Sequence, residues 1–256
     1  MEYIHALILS IVEGITEFLP ISSTGHLILT ANLLGIPQTE FVKSFEIIIQ
    51  LGAIFAVALQ YIRRILANPK LIIKIGVAFI PAAILGLGLY KVIKTFLIGS
   101  SEVVLWSLLI GGIILLILEL WYGKQEVQTK ELESISYRQA VLIGVGQSVS
   151  LIPGVSRAGA TIAAGMLQKI SRPAAVEFSF LLAIPTMMAA TVLDLSQVGW
   201  SFSAQEYQLL AVGLIGSFIS AWLAVRWLVK FVSHHNFVGF GIYRIVIAII
   251  GLLFWL

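Results

Sequence analysis

The sequence predicts an all-α polytopic membrane protein of six transmembrane helices plus two re-entrant helical hairpins, related as an inverted-topology repeat. Three observations predict this. The 256 residues are 59% hydrophobic and 11% charged, with a mean hydropathy of +1.01, whereas a soluble domain carries about 25% charged residues. Two polar clusters, residues 13–26 around Pro20 and 146–161 around Pro153, interrupt the apolar chain. The basic residues also fall largely on one side of the membrane once those clusters fold back on themselves. The weak alternating signal of a membrane barrel is absent.

Taken in order, residues 3–33 are read as a hairpin that enters the bilayer and returns to the same side. Pro20 removes a backbone donor and breaks a helix interior, and Gly25 permits a tight turn. Non-helical backbone at membrane depth survives only where protein or a wet cavity satisfies it. A span through 44–54 follows, then apolar spans at 73–90 and 102–121. Residues 123–137 form a cytoplasmic loop. Residues 139–168, with Pro153, Gly154 and Gly159, form the second hairpin. Spans then run through 175–186, at 208–228 and at 240–256. The stretch Phe45-Glu46-Ile47-Ile48-Ile49-Gln50-Leu51-Gly52-Ala53-Ile54 resembles Val176-Glu177-Phe178-Ser179-Phe180-Leu181-Leu182-Ala183-Ile184-Pro185. The chain therefore reads as a single membrane domain, 1–256, of two repeat halves, approximately 1–122 and 138–256.

The charges orient it. With both hairpins dipping, Arg63, Arg64, Lys70, Lys74, Lys124, Lys130, Arg138, Lys169, Arg172, Arg226 and Lys230 share one side, and Lys43, Lys91 and Lys94 the other. The richer side is cytoplasmic. A hairpin that crossed fully would scramble this bias. Three spans per unit make the second half inverted and put both termini outside the cytoplasm. Inverted repeats with broken helices place polar sites near the midplane, where the units meet.

Composition also excludes. No cleavable signal peptide is expected, because the first apolar run lacks a basic start and contains Glu13 and Glu17. There is no cysteine, hence no disulfide or thiolate chemistry. His5, His26, His234 and His235 are too scattered for a histidine metal cluster. The net charge of +3 reflects the loops and does not argue for nucleic acid. Neither a Walker-type loop nor a Rossmann fingerprint is present, which argues against nucleotide binding.

The chemistry-bearing residues lie in the two clusters. Glu13 and Glu17 are one helical turn apart and share a face. In low dielectric they either share a proton or hold a cation between them, and oxygen ligands suit Mg²⁺ or Ca²⁺. A structural pair in a wet crevice is the alternative. Ser22, Ser23 and Thr24 stand at an expected helix start, where hydroxyls and N–H groups bind anions or simply cap the helix. His26 can move protons or be a hydrogen-bonded interior histidine. Arg157 at the second tip offers a fork that matches phosphate, flanked by Ser156 and Thr161; an ion pair with Glu13 or Glu17 is the alternative. Gln50, Glu46 and Glu177 read as candidate polar contacts between helices. Together the acids, hydroxyls and arginine suggest phosphoryl chemistry.

These residues carry a resemblance. Glu13-Gly14-Ile15-Thr16-Glu17-Phe18-Leu19-Pro20-Ile21-Ser22-Ser23-Thr24-Gly25-His26-Leu27 resembles the first signature of the bacterial undecaprenyl-diphosphate phosphatases of the bacitracin-resistance type. Pro153-Gly154-Val155-Ser156-Arg157-Ala158-Gly159-Ala160-Thr161-Ile162 is similar to their second signature, departing conservatively at Ala158, where serine is common. The stretches 44–54 and 175–186 and the closing Ile242-Tyr243-Arg244 also match. The resemblance implies an inner-membrane hydrolase of a C55 polyprenyl diphosphate that recycles the lipid carrier for cell-wall synthesis and lowers the target of bacitracin. It further implies a site open to the periplasm and dependence on Mg²⁺ or Ca²⁺. The resemblance points at Glu13, Glu17, Ser23, His26 and Arg157 as the catalytic set. On the reading of the residues, Glu17, Ser23, His26 and Arg157 do the chemistry, Ser22, Thr24, Ser156, Arg157 and Thr161 meet the phosphates, and Glu13 and Glu17 hold the metal. A homodimer is the candidate assembly. The rival reading is a polyprenyl-phosphate flippase, which would not need an activated hydroxyl; a non-catalytic scaffold leaves the intramembrane charges without purpose.

Overall fold

The computed structural model describes residues 1–89, 100–198 and 202–254. Among these residues the α-helices, in chain order, are α1 Tyr3–Thr16, α2 Ser23–Leu33, α3 Glu40–Ala67, α4 Pro69–Gly88, α5 Ser101–Tyr122, α6 Tyr137–Gln147, α7 Arg157–Leu167, α8 Arg172–Val198, α9 Ala204–Val232 and α10 Val238–Phe254. The architecture is all-α, with one isolated bridge between Thr129 and Ile170.

Each proline cluster divides its segment into two short helices. α1 has 14 residues and α2, α6 and α7 have 11 each. At a rise of 1.5 Å per residue these are roughly 21 and 17 Å long, too short to cross a hydrocarbon core of about 30 Å alone. By contrast α3, α4, α5, the Arg172–Leu193 part of α8, and α9 are all long and apolar enough to cross a membrane. α10, with 17 residues, is a shorter apolar helix. The last two residues of the expected final span, 255–256, lie outside the described residues, as do Lys91 and Lys94 of the charge count. Exposed Phe55, Ile84, Leu120 and Leu223 on α3, α4, α5 and α9 suit a lipid surround.

Local sequence explains the helix starts. Thr39, Asn68, Ser100, Ser136 and Ser203 each accept a first-turn N–H at the head of α3, α4, α5, α6 and α9, satisfying donors that have no intrahelical partner. Pro69 follows Asn68 at the first position of α4, where its missing N–H costs nothing.

The two halves interlock. α1 packs along α9, and α6 along α4; α3 lies on α9, and α8 on α4; α5 faces α10, and α3 faces α8. Small residues let these helices approach. A Cβ on Gly14 would stand 2.0 Å from the Ser220 hydroxyl, and one on Gly144 2.0 Å from the Ala78 carbonyl oxygen. Such contacts matter in lipid, where burying apolar surface gives helices no drive to associate. The Ser217 hydroxyl adds a bridge from α9 to the Ile49 carbonyl of α3 at 2.7 Å.

One end of the bundle gathers charge. Arg64 Nε lies 2.6 Å from Glu133 Oε1, and its Nη1 lies 2.9 Å from Glu177 Oε1. Lys74 Nζ donates to the Glu133 carbonyl at 2.7 Å. Arg172 pairs with the buried Glu119, which also accepts the Phe237 N–H at 2.8 Å. Arg64, Lys74, Arg172 and the loop between α5 and α6 thus meet at one end, and Glu177 serves there as a contact between helices.

Candidate active site

Two matched turns build the site. Between α1 and α2 the chain turns through Pro20 and enters α2 at Ser22, with φ 72° and ψ 97°. Between α6 and α7 it turns through Pro153 and enters α7 at Ser156, with φ 73° and ψ 113°. Positive φ costs a side-chain-bearing residue about 1–2 kcal/mol, and such strain clusters at functional sites. Both serines receive the same local compensation. Ser22 Oγ accepts from the Gly25 N–H at 3.4 Å, and Ser156 Oγ accepts from the Gly159 N–H at 3.0 Å. Gly154, at φ 89°, cannot be replaced without strain, since a Cβ there would also sit 2.6 Å from the Val104 carbonyl oxygen.

The residue after each strained serine is the first of its helix: Ser23 in α2 and Arg157 in α7. Both reach the same carboxylate. The Ser23 hydroxyl donates to Glu17 Oε2, and Arg157 Nη2 donates to Glu17 Oε1 at 2.8 Å. Glu17 and Ser23 are both buried. Arg157 is held further by the Ser179 carbonyl, 2.9 Å from its Nη1, and by stacking over Phe18, with its Cζ 5.6 Å from the ring centre. Phe18 in turn meets Phe180 edge-on, with ring centres 5.3 Å apart. Arg157 Nε is buried and has no hydrogen-bond partner among the described residues, which leaves one donor of the fork available to an incoming oxygen.

Glu13 lies one turn back on α1, fully enclosed, and neither of its carboxylate oxygens accepts a hydrogen bond among the described residues. The charged groups acting on it are Glu17, Glu46 and Arg157. Buried polar groups are normally paired, so an orphaned carboxylate beside other acids marks a place for a proton or a cation. Among the described residues, no three His, Cys, Asp or Glu side chains gather into a ligand cage. An ion bound to the Glu13 and Glu17 carboxylates would complete its shell with hydroxyl, water or phosphate oxygens, which suits Mg²⁺.

The remaining candidates divide. Thr161 is buried, and its hydroxyl lies 2.6 Å from Ser179 Oγ and 2.9 Å from the Arg157 carbonyl, so it braces Arg157 and Ser179. Ser156 and Ser22 are caps. Thr24 is exposed at the start of α2. His26 is not in hydrogen-bond contact with Ser23. Its Nδ1 lies 2.8 Å from the Ser22 carbonyl and its Nε2 lies 2.8 Å from the Tyr243 hydroxyl. A carbonyl only accepts, so Nδ1 carries the proton and, in the neutral ring, Nε2 accepts from Tyr243. The i−4 carbonyl draws the ring back along α2, away from the serine one turn earlier. In this arrangement the Ser23 hydroxyl contacts the Glu17 carboxylate, and His26 is turned to other partners.

Sequence reading did not single out Ser179, Tyr243 or Arg244 as site residues, and placed Glu46 only as a helix contact. Arg244 had a signal: an arginine inside an apolar run is costly and usually functional. Ser179 and Tyr243 lie in stretches that share the family resemblance, but nothing in their own chemistry or spacing pointed to the site.

An apolar groove of about 660 Å³ opens beside the first turn between α1 and α9, lined by residues including Ile11, Ile15, Leu19, Ile219 and Leu223. A second, of about 310 Å³, shares Leu19 and Trp227 with it and reaches Tyr243. The pair forms an oily path from the lipid-facing surface to the residue that holds His26.

Residues 6–250 match the family model described as bacitracin resistance protein BacA. The chain is 52% identical over 252 residues to a protein of Aquifex aeolicus named undecaprenyl-diphosphatase, covering 98% of each. It is 47% identical to proteins of the same name from Sulfurihydrogenibium, over 100% of each chain, and from Wolinella succinogenes, over 99% of this chain and 98% of that one. A match of this length and identity shows the family: the chain belongs to the bacitracin resistance protein BacA family.

Proposed function

We propose that this protein hydrolyses undecaprenyl diphosphate to undecaprenyl phosphate and inorganic phosphate, the activity for which its relatives are named. The observation that carries the reading is Glu17, whose two oxygens are shared between the Ser23 hydroxyl and the Arg157 guanidinium. A hydroxyl and a phosphate ligand from two separate turns converge on one carboxylate, which serves as the base. A flippase would need an anion site but no activated hydroxyl, so this contact favours the phosphatase.

The step follows from the residues. The diphosphate head enters beside Thr24 and His26, the more exposed members of the first turn, and the prenyl tail lies in the apolar grooves around Leu19. Ser23 Oγ attacks the terminal phosphorus while its proton passes to Glu17. The bond from that phosphorus to the bridging oxygen breaks, and the lipid monophosphate departs with the electron pair. Glu17 hands that proton to the departing lipid phosphate. Water then attacks the phosphoserine, passing a proton to the restored Glu17 base. Ser23 Oγ leaves with the electron pair of the broken P–O bond and takes the proton back from Glu17 as phosphate is released. Arg157 stabilises charge on the transferring group, as do the first-turn N–H groups of α2 and α7. Glu13 and Glu17 would hold Mg²⁺ or Ca²⁺, which supplies neutralisation of phosphoryl charge when bound.

The membrane arrangement follows the same reading: two hairpins and six spans in two inverted halves, with the site open to the periplasm of a bacterial inner membrane. The matched serine turns and the exchanged packing of α1 on α9 and α6 on α4 support it. In the cell the activity would regenerate the carrier lipid of wall synthesis and reduce the diphosphate that bacitracin binds. The deciding experiment is phosphate release from undecaprenyl diphosphate by the detergent-purified protein, with rapid quench of substrate labelled in its terminal phosphate. Label retained on Ser23 supports the covalent route; release without any labelled protein, with Ser23→Ala still active, would assign attack to water.

A further inference from the structure

We propose that Arg244 of α10 is a positioning residue that ties the two serine turns together and so sets where Ser23 and Arg157 meet Glu17. Its side chain is buried and carries five N–H donors, and the structure gives five backbone carbonyl acceptors. Nη1 lies 3.1 Å from the Pro20 carbonyl in the first turn and 3.1 Å from the Val155 carbonyl in the second. Nη2 lies 3.1 Å from the Gly154 carbonyl and 2.9 Å from the Ser107 carbonyl, and Nε lies 3.2 Å from the Leu108 carbonyl. No carboxylate pairs with it among the described residues.

The acceptors are what make the role specific. Pro20 precedes the strained Ser22 by two residues; Gly154 and Val155 immediately precede the strained Ser156. These carbonyls belong to non-helical backbone inside the membrane, which must be satisfied by protein or water. One rigid fork satisfies both turns at once and anchors them to α5, so the spacing between the turns is fixed by the guanidinium's own dimensions. Ser23 and Arg157 are the next side chains along. The neighbouring Tyr243 holds His26, so two consecutive residues of α10 reach both the turns and the histidine. α5 is shaped for the fork: a Cβ on Gly111 would stand 2.2 Å from Arg244 Nη2 and 2.7 Å from its Cζ.

The inference rests on the phosphatase reading, whose failure would show separately as an inactive unsubstituted protein. Arg244→Lys keeps the charge but has one nitrogen, which cannot span carbonyls on three segments. Misplacement of reacting groups by about 1 Å can cost on the order of 10²-fold in rate, so kcat for undecaprenyl diphosphate should fall by roughly that factor. KM should change little, because the tail grooves are untouched. Gly111→Ala presses on the same fork from α5 and should give the same kcat-selective loss. Because lysine vacates the space that Gly111→Ala invades, the double variant should be no worse than Arg244→Lys alone. In an Arg157→Lys background, Arg244→Lys should add less than it costs on its own, since the part of its effect that passes through Arg157 is already lost. Thermal unfolding in detergent accompanies each variant. Unchanged kcat in both single variants, losses that multiply fully in either double variant, or a loss confined to preparations that have unfolded would overturn the proposal.

Discussion

Glu17→Gln tests the centre of the site most directly. In the native site one Glu17 oxygen accepts from Arg157 at 2.8 Å and the other accepts from Ser23. Glutamine offers one acceptor oxygen and one donor nitrogen. If the oxygen keeps Arg157, the amide nitrogen faces Ser23, which can turn to accept, but nothing remains to take its proton. A positioned general base is worth about 10²–10⁴ in rate, or roughly 3–5 kcal/mol of barrier. The effect on folding should be smaller. Arg157 retains the Ser179 carbonyl at 2.9 Å and exchanges a charged acceptor for a neutral one, a difference of about 1–2 kcal/mol. The variant should therefore purify folded, melt modestly earlier and release phosphate at least 10²-fold more slowly. The assay is initial-rate phosphate release from undecaprenyl diphosphate in detergent, paired with a thermal melt. Retention of more than a tenth of the native rate would refute Glu17 as the base.

Further predictions follow from the same geometry. Arg157→Lys should stay severely impaired, because a single ammonium cannot serve Glu17, Ser179 and a phosphate together; near-normal turnover would assign Arg157 to charge alone. Glu13→Gln should weaken or abolish the response of activity to added Mg²⁺ or Ca²⁺ more than it alters folding, measured by titrating metal into chelator-treated protein. The Arg64 guanidinium holds the Glu133 carboxyl below its ordinary value through their hydrogen bonds. A depressed folded-state pKa stabilises above the unfolded value and loses its effect as pH falls through the folded one. The melting temperature of Glu133→Gln should therefore trail the native protein at neutral pH, and the gap should close in acid and shrink in high salt. Single cysteines at Arg63, Lys124 and Arg226 should label from the cytoplasm and one at Lys91 from the periplasm; periplasmic labelling of all four would defeat the proposed topology.

The sequence made the breaks legible because prolines and polar residues stand out against an apolar background. Pro20 and Pro153 mark turns between helices too short to span, and the long apolar runs became α3, α4, α5, α8 and α9. The 240–256 run became α10, whose 17 described residues leave its length short of the others. Helical spacing also located Glu13 and Glu17 on a common face. It could not locate His26, because the ring had two rivals for its nitrogens: a serine hydroxyl one turn back, and the pairing of the i−4 carbonyl with a distant tyrosine. Tyr243 is far off in sequence, and only the packing of α10 beside the turns brings it near. Arg157 illustrates the other limit. Phosphate ligand and ion-pair partner look exclusive in sequence, yet a guanidinium has donors enough for both. It pairs with Glu17 while its Nε stays unpartnered. Arg244 shows the reverse case, an intramembrane cation that needs no anion because three chain segments present carbonyls to it.

The two turns explain how one site can hold a nucleophile and an anion ligand at once. Each helix N-terminus carries about half a positive charge from its aligned peptide dipoles. α2 and α7 begin with the two side chains that meet on Glu17. A diphosphate at that meeting point would find the Arg157 guanidinium and the N-terminal field of α2, whose Gly25 N–H, like the Gly159 N–H of α7, is already taken by a serine hydroxyl. The equivalent strained serines make the first side chain of each helix project at the same place. What differs is its identity: a short hydroxyl in the first turn, suited to attack, and a long guanidinium in the second, suited to span from Glu17 to an incoming phosphate. Glu13 on α1 and Glu17 just past its end belong to the same half as Ser23, so the proposed base lies on the proposed nucleophile's side. Matched backbone positions the two helix starts, and unmatched side chains divide the labour between them.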